Sequence, residues 1–331
     1  MTTVPALPCR QTGIIFKESY MELEHNWNGR PYHSLDWELK HTFGHKVYKL
    51  SLDAGLTCPN RDGKIGRGGC IFCSGMGSGD FAGSASFSIC EQLAAGKAAL
   101  QAKRPVHSYI AYFQAFTNTY APVEYLEKIF TEAILDPDVR VLAVATRPDC
   151  LSHETVELLR RLNQIKPVWI ELGLQTIHPQ TARYIRRGYP LEVFDDAVVR
   201  LKAAGIQVIT HVILFLPGET EAQMLKTIDY LNCNPIDGIK LQLLHILKGT
   251  DLARDYARSP FHIPDMDEYI RCIGNCIAHL RPDIVIHRLT GDGPKDLLIE
   301  PQWTGAKRTV LNHIHQYLKK QDIWQGKEYY G

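Results

Sequence analysis

Residues 47–73 read Val-Tyr-Lys-Leu-Ser-Leu-Asp-Ala-Gly-Leu-Thr-Cys-Pro-Asn-Arg-Asp-Gly-Lys-Ile-Gly-Arg-Gly-Gly-Cys-Ile-Phe-Cys. The first six have the apolar and β-branched character of a buried strand. The residues after them read as a long loop rather than a helix. This loop carries Cys58, Cys70 and Cys73 and is studded with glycine, from Gly63 through Gly69 and on to Gly75, Gly77 and Gly79. Glycines let a backbone wrap closely around an inorganic centre, because they tolerate positive φ and present N–H groups without a Cβ. The G-x-G-x-x-G turn of a dinucleotide-binding sheet is missing after this strand. The chain therefore opens with a thiol-rich loop on a strand end.

The same unit recurs outward from that stretch. Apolar runs at 47–52, 109–113, 139–145, 168–174, 206–216, 238–246 and 284–287 alternate with amphipathic helical patterns. Ser88-Ile-Cys-Glu91 reads as a capping box, Pro122 suits a helix start, and Gly205 suits a helix end. Strands alternating with helices mean βαβ units and a parallel sheet. Six units in a row predict an α/β fold, a partial (β/α)6 TIM-type barrel. Residues 1–45 read as an N-terminal extension, 46–260 as the barrel and 261–331 as a C-terminal α/β addition packing on it.

Composition narrows the class. The 331 residues are 45% hydrophobic and 22% charged, enough for a large core and unlike a disordered chain. Thirty-seven Lys and Arg against 36 Asp and Glu leave +1, so no global basic footprint marks a nucleic-acid binder. No secretory signal and no apolar run of membrane-spanning length is found, which predicts a cytoplasmic protein with no membrane partner. Nine cysteines, an odd number, then read as thiols or metal ligands rather than a disulfide framework.

In a βα barrel, chemistry gathers where strands run out at their C-terminal ends. Those ends carry Gln114-Ala-Phe-Thr-Asn118, Thr146-Arg-Pro-Asp149, Glu171-Leu-Gly-Leu-Gln175, Leu216-Pro-Gly-Glu219, and Lys240 with Gln242. Glu171 and Lys240 sit among apolar residues, where a charge is rare unless paired. They are candidate catalytic or site residues, with a structural ion pair as the alternative. The three cysteines suit either zinc or an iron–sulfur cluster. Zinc needs a fourth closed ligand, and Cys90 follows inside a predicted helix; a [4Fe–4S] cluster on three cysteines leaves one iron open. Cys272 and Cys276 share one helix face and read as core packing.

A three-cysteine loop directly after the first strand of a βα barrel, with Phe72 before the last cysteine, resembles the radical S-adenosylmethionine (radical SAM) superfamily. The spacing is closer to that of the catalytic subunit of Elongator than to the commonest x3-x2 form. Thr146-Arg-Pro-Asp149, Glu171-Leu-Gly-Leu-Gln175, Leu216-Pro-Gly-Glu-Thr220 and Lys248-Gly-Thr-Asp-Leu252 extend the likeness. The segments Tyr112-Phe-Gln-Ala-Phe-Thr-Asn-Thr-Tyr120 and His287-Arg-Leu-Thr-Gly-Asp292 resemble a bacterial Elongator-like branch. Members of that branch process carboxymethylaminomethyl-uridine at the tRNA wobble position.

The resemblance implies an iron–sulfur, metal-binding enzyme of tRNA modification. Cys58, Cys70 and Cys73 would hold a [4Fe–4S] cluster whose open iron chelates S-adenosyl-L-methionine, and a 5′-deoxyadenosyl radical would take hydrogen from the substrate. It further implies tRNA as a partner and a one-electron donor such as flavodoxin or ferredoxin. Gln114, Thr117, Asn118, Glu171, Gln175 and Arg187 are the cofactor-binding candidates, Gln175 and Arg187 matching a Gln…Arg pair of relatives. The Gly-Gly-Glu-like strand end of relatives is replaced by residues 114–118, and two acidic positions are Ala145 and His211 here. A tRNA surface is expected from Trp27, Arg30, Tyr32, His33 and Trp37 together with Arg61, Lys64 and Arg67, unless the aromatics cap the barrel. A radical enzyme on a small molecule such as a tetrapyrrole and a zinc-dependent RNA-binding protein are the competing readings.

Overall fold

The computed structural model describes residues 26–330, so Cys9 and the first 25 residues of the extension lie outside the description. Seven strands form one parallel sheet: β1 (Tyr48–Leu52), β2 (Tyr109–Phe113), β3 (Val139–Thr146), β4 (Val168–Gln175), β5 (Gln207–Leu214), β6 (Gly238–Leu243) and β8 (Val285–Arg288). They lie side by side in chain order. A small antiparallel pair, β7 (Ile246–Leu247) and β9 (Leu298–Glu300), stands apart. All seven apolar runs are strands of the sheet. The last of them, from the segment expected as an addition, extends the barrel itself by pairing with β6.

Helices cover the outer face. After α1 (Leu35–Phe43) come α2 (Ile89–Gln101), α3 (Val123–Ile134), α4 (His153–Asn163), α5 (Pro179–Tyr184), α6 (Leu191–Ala203), α7 (Glu221–Asn232), α8 (Asp251–Arg258), α9 (Met266–His279) and α10 (Lys307–Lys320). The expected capping box on α2 forms, with Ser88 accepting from the Glu91 N–H and Glu91 reaching back. A second, Thr220 with Gln223, starts α7 and places the Leu216–Thr220 motif in the turn after β5. Leu158, Leu159, Phe194, Leu201 and Ile228 from these helices meet Phe113, Leu142 and Ile170 from the sheet in the main core. Cys272 and Cys276 are buried in that core, as packing residues.

The inner face is built in layers, because side chains two apart on a strand share a face. The lowest layer is apolar: Val47, Ile110, Val141, Trp169 and Ile209, with Leu39 of α1 set among them. Two residues further along the strands come Lys49, Tyr112, Glu171, His211 and Lys240. The next step brings Gln114, Ala145, Gly173, Ile213 and Gln242. Among the described residues β1 and β8 are the two edge strands of the sheet and do not pair with each other, so the barrel is open on that side. There α1 crosses the lower end, and Ser34 makes an isolated parallel bridge to Ile286.

Candidate active site in the barrel mouth

One cavity runs from the loop after β1 down into the barrel. Cys58, Cys70 and Cys73 line it together with Gln114, Gln175 and Lys240, so the topology brings the expected thiols and strand ends to one place. The cysteine loop is held by its own side chains. Arg61 donates to the carbonyls of Cys73 at 3.5 Å, Ser74 at 2.5 Å and Gly75 at 3.3 Å, and its guanidinium lies over the Phe116 ring. It is a strut of the loop rather than an outward-facing contact. Gly77, at φ +56°, has no room for a Cβ, which would stand 2.3 Å from Phe116. The Asn60 amide donates to the Cys70 sulfur at 3.5 Å and to the Arg186 carbonyl at 2.8 Å, tying the loop to the segment after α5. A hydrogen bond with the Cys73 thiol, helped by Asn60 and by the charges of Arg147 and Arg61, brings the Cys70 thiol down to about 7. Among the described residues, no three His, Cys, Asp or Glu side chains gather around a single metal ion position.

The end of β4 shows how a strand aims a polar group. The pairing of β4 with β5 shifts between Gly173 and Gln175, and Gln175 has φ +68°. Such a bulge re-aims a side chain. Gly173 makes space for it, since a Cβ there would come within 2.9 Å of the Gln175 amide nitrogen. Gln175 reaches the cavity with its amide oxygen buried and without a partner. Arg187 also lines the cavity, and its guanidinium donates to the carbonyls of Tyr189, Leu174 and Thr176, holding the strand end.

Of the β2 candidates, Gln114 lines the cavity and donates to the Ser78 carbonyl at 2.7 Å, and Thr117 lines it from a buried position. Asn118 is not among the lining residues. It is wholly buried, and its amide donates to the carbonyls of Phe113 and Ala145, bracing β2 against β3.

Deeper lies a charged layer. Glu171 is 1% exposed; its carboxylate accepts from Lys49 at 3.1 Å, from Lys240, and bonds His211 at 2.8 Å. Lys240 also donates to the Tyr112 hydroxyl at 3.2 Å. Burial alone would raise the Glu171 carboxyl, but the Lys240 and Lys49 ammoniums hold it well below the carboxylate range. Burial pushes Lys240 well below an ordinary lysine, and Lys49 and Arg288 add to that against the pull of Glu171. His211 is brought down to about 4 by burial and by Lys240, which keeps it neutral. Glu171 and Lys240 are thus an ion pair and also line the cavity.

Sequence reasoning missed Arg288, which lines the same cavity from β8. The motif containing it was visible; the bulge that turns it inward was not. The expected aromatic surface is corrected. Trp27, Tyr32 and His33 are buried, Trp27 stacking on His33 and Tyr32 bonding His315 at 2.9 Å. They pack along the edge of β8 and against α10, where the His33 carbonyl accepts from the Ile286 N–H, because bulky aromatics gain more by sealing the open edge than by facing water.

Comparison with known proteins agrees with this architecture. The Radical SAM superfamily model matches residues 61–231, and the Radical_SAM C-terminal domain model matches 236–320. Uncharacterized protein YtqA of Bacillus subtilis is 41% identical over 89% of this chain and 92% of its own length. The tRNA uridine(34) acetyltransferase of Methanocaldococcus infernus is 24% identical over 55% of this chain and 34% of its own length. The solved structure of archaeal Methanocaldococcus infernus Elp3, lacking its N-terminus, shares the fold: TM-score 0.65, 17% identity, 84% of this chain and 64% of that one. The chain belongs to the radical SAM superfamily, in an Elongator-like relationship. It is an enzyme whose cofactors are a [4Fe–4S] cluster and S-adenosylmethionine, and its chemistry requires a reductant. No helix among the described residues is long and apolar enough to cross a membrane.

Proposed function

We propose that this enzyme acts on tRNA, removing the carboxymethyl carbons from carboxymethylaminomethyl-uridine at the wobble position to leave aminomethyl-uridine. Cys58, Cys70 and Cys73 would hold the cluster, since they face one cavity on a glycine-rich loop and the chemistry of three thiols without a fourth suits a centre with one open iron. The cluster and S-adenosylmethionine, when bound, supply a 5′-deoxyadenosyl radical for hydrogen abstraction. Gln175, with its unpartnered amide oxygen, would contact S-adenosylmethionine beside the thiols, and Gln114 and Thr117 would border it. Glu171 and Lys240 would line the substrate's end of the cavity. The position to be activated is the methylene between nitrogen and carboxylate in the glycine-like arm. Loss of a hydrogen atom there, with one further electron that would return to the cluster, gives an imine. Water then cleaves its C–N bond to leave the primary amine and release the two carbons as glyoxylate.

The observation that carries a nucleic acid over a small molecule is the rim of the cavity. Phe81, 58% exposed, stands at its edge, and Met76 and Phe87 of the same loop are 51% and 57% exposed. Single-stranded bases are gripped by stacking on such side chains. Lys64, whose ammonium lies over the Tyr120 ring, and the exposed Arg67 are cations on the same loop. The relative named as a tRNA uridine(34) acetyltransferase supports the same substrate class.

The test is nucleoside mass analysis after incubation of reconstituted enzyme with tRNA bearing the carboxymethylaminomethyl group. Conversion to aminomethyl-uridine, absent with unmodified tRNA and weakened in Phe81→Ala, is the expected result. Turnover only with a porphyrinogen or another small molecule would replace the tRNA reading. A flavodoxin or ferredoxin is the donor we propose for such an assay.

A further inference from the structure

The pairing of β6 with β8 breaks register once. Gly238 and Ile239 face Val285 and Ile286, but Lys240 faces Arg288, so β8 carries one residue more than its partner. The extra residue turns Arg288 onto the side of the sheet where Lys240 lies, and both line the cavity. His287 stays inside as well, its ring edge-on to Trp169 at 5.3 Å. A bulge at this point adds no pairing; what it adds is a guanidinium in the barrel.

That guanidinium is poorly matched by the protein. Its ion pair is to Asp292 at 3.3 Å, and Asp292 is already held by Lys307 at 2.7 and 2.5 Å. Arg288 lines the cavity, and a guanidinium carries five N–H donors, more than this one pairing uses. The surrounding charges are positive in excess, the two carboxylates Glu171 and Asp292 standing against Lys49, Lys240, Arg288 and Lys307. Lys49, Lys240 and Arg288 stand around Glu171, whose carboxylate is taken up by the two lysines and His211. Lys240 is buried and Lys49 and Arg288 are half-buried at the cavity wall, and partly desolvated cations in excess favour an anion beside them. The depression of Lys240 by Lys49 and Arg288 reports the same excess.

We propose that Arg288, with Lys240 beside it, forms a subsite for a carboxylate of the substrate, the one on the carboxymethylaminomethyl arm. This rests on the tRNA reading for the identity of the arm, and on the bulge and the charge excess for the anion. The planar fork of arginine accepts a carboxylate through two parallel hydrogen bonds. The amine is cationic in both, but the aminomethyl product lacks that carboxylate, so its arm is a net cation where the substrate's is a zwitterion. The subsite therefore distinguishes substrate from product by charge and favours product release.

The test compares wild type, Arg288→Gln and Arg288→Lys as reconstituted holoenzymes. Wild type is expected to bind tRNA with carboxymethylaminomethyl-uridine at least about tenfold more tightly than tRNA with aminomethyl-uridine. Arg288→Gln should lose that preference at unchanged melting temperature and unchanged S-adenosylmethionine affinity, and Arg288→Lys should keep part of it. Preference retained in Arg288→Gln overturns the subsite. A loss of S-adenosylmethionine affinity assigns the anion to the cofactor and overturns it too. N-methylglycine, titrated without tRNA, separates the two readings. If tRNA of neither kind binds but N-methylglycine binds wild type and not Arg288→Gln, the carboxylate subsite stands and the tRNA reading falls. Equal N-methylglycine binding to both proteins, or binding to neither, overturns the subsite whatever tRNA does.

Discussion

Arg187 acts on Gln175 through the backbone on either side of it: the guanidinium donates to the Leu174 carbonyl at 3.3 Å and the Thr176 carbonyl at 2.6 Å. Gln175, in a left-handed conformation between those two carbonyls, is thereby fixed toward the cavity. Both residues line the cavity, and Arg187 in addition braces the strand end that carries Gln175.

Gln175→Ala should weaken S-adenosylmethionine binding by about tenfold or more and leave iron content and melting temperature unchanged. Arg187→Ala should weaken binding as well and in addition cost about 1–3 kcal/mol, since buried carbonyls lose their donor. Calorimetric titration and denaturant unfolding on both variants separate contact from positioning. An Arg187 variant with normal affinity and lowered stability would make Arg187 purely structural.

Cys58→Ala, Cys70→Ala and Cys73→Ala should each abolish stable cluster assembly, read as iron and acid-labile sulfide per chain. Cys90→Ala, Cys150→Ala and Cys276→Ala should keep full loading. Normal loading in Cys70→Ala would remove the loop as the cluster site.

Arg61→Ala should lower cluster loading several-fold while moving global stability little, because its bonds go to three carbonyls within one loop. A fall in melting temperature as large as that of a core substitution would mean that the loop is part of the cooperative fold.

Glu171→Gln should destabilise by about 3–5 kcal/mol, because it leaves Lys49 and Lys240 in the barrel without their carboxylate. Glu171→Gln with Lys240→Met should recover part of that loss. Equal stability of the single and double variants would show that the cations are not the source of the cost.

His211 titrates near 6.5 when unfolded and is brought down to about 4 in the fold by burial and Lys240. The unfolded chain therefore takes up a proton first as pH falls. Stability from this group is full above about pH 6.5 and is lost progressively toward pH 4, by about 3 kcal/mol. His211→Gln, whose amide can still donate to Glu171, should flatten the fall of melting temperature over that window. An unchanged slope would place the acid sensitivity elsewhere.

The strands were legible because parallel strands buried on both faces read as continuous apolar runs, and all seven lay where those runs stand. The thiol loop was legible for a similar reason, since glycines and cysteines are concentrated between residues 58 and 79. What escaped was set by register and by contacts distant in sequence. Nothing local in His287-Arg288 says that one residue is extra, and the inward turn of Arg288 exists only against β6. Asn118 sits in an expected strand end and Arg187 between α5 and α6, and the side chains of both serve carbonyls of neighbouring strand ends, which depends on where those strands stop. The aromatics near residue 30 looked like a contact surface because their seat, made by β8 and α10, comes some 250 residues later in the chain.

That distance bears on the order in which the molecule is made. Ser34 meets Ile286 across nearly the whole chain, and Leu39 sits on Trp169 and Ile209. Closing so long a loop costs entropy before any contact rewards it. During synthesis the helix that seals the barrel emerges first and finds its seat last, after β8 has been laid down. Until then the apolar floor formed by Val47, Ile110, Val141, Trp169 and Ile209 lacks its cover, and the stretch of chain between β5 and β8 is the part whose completion seats it.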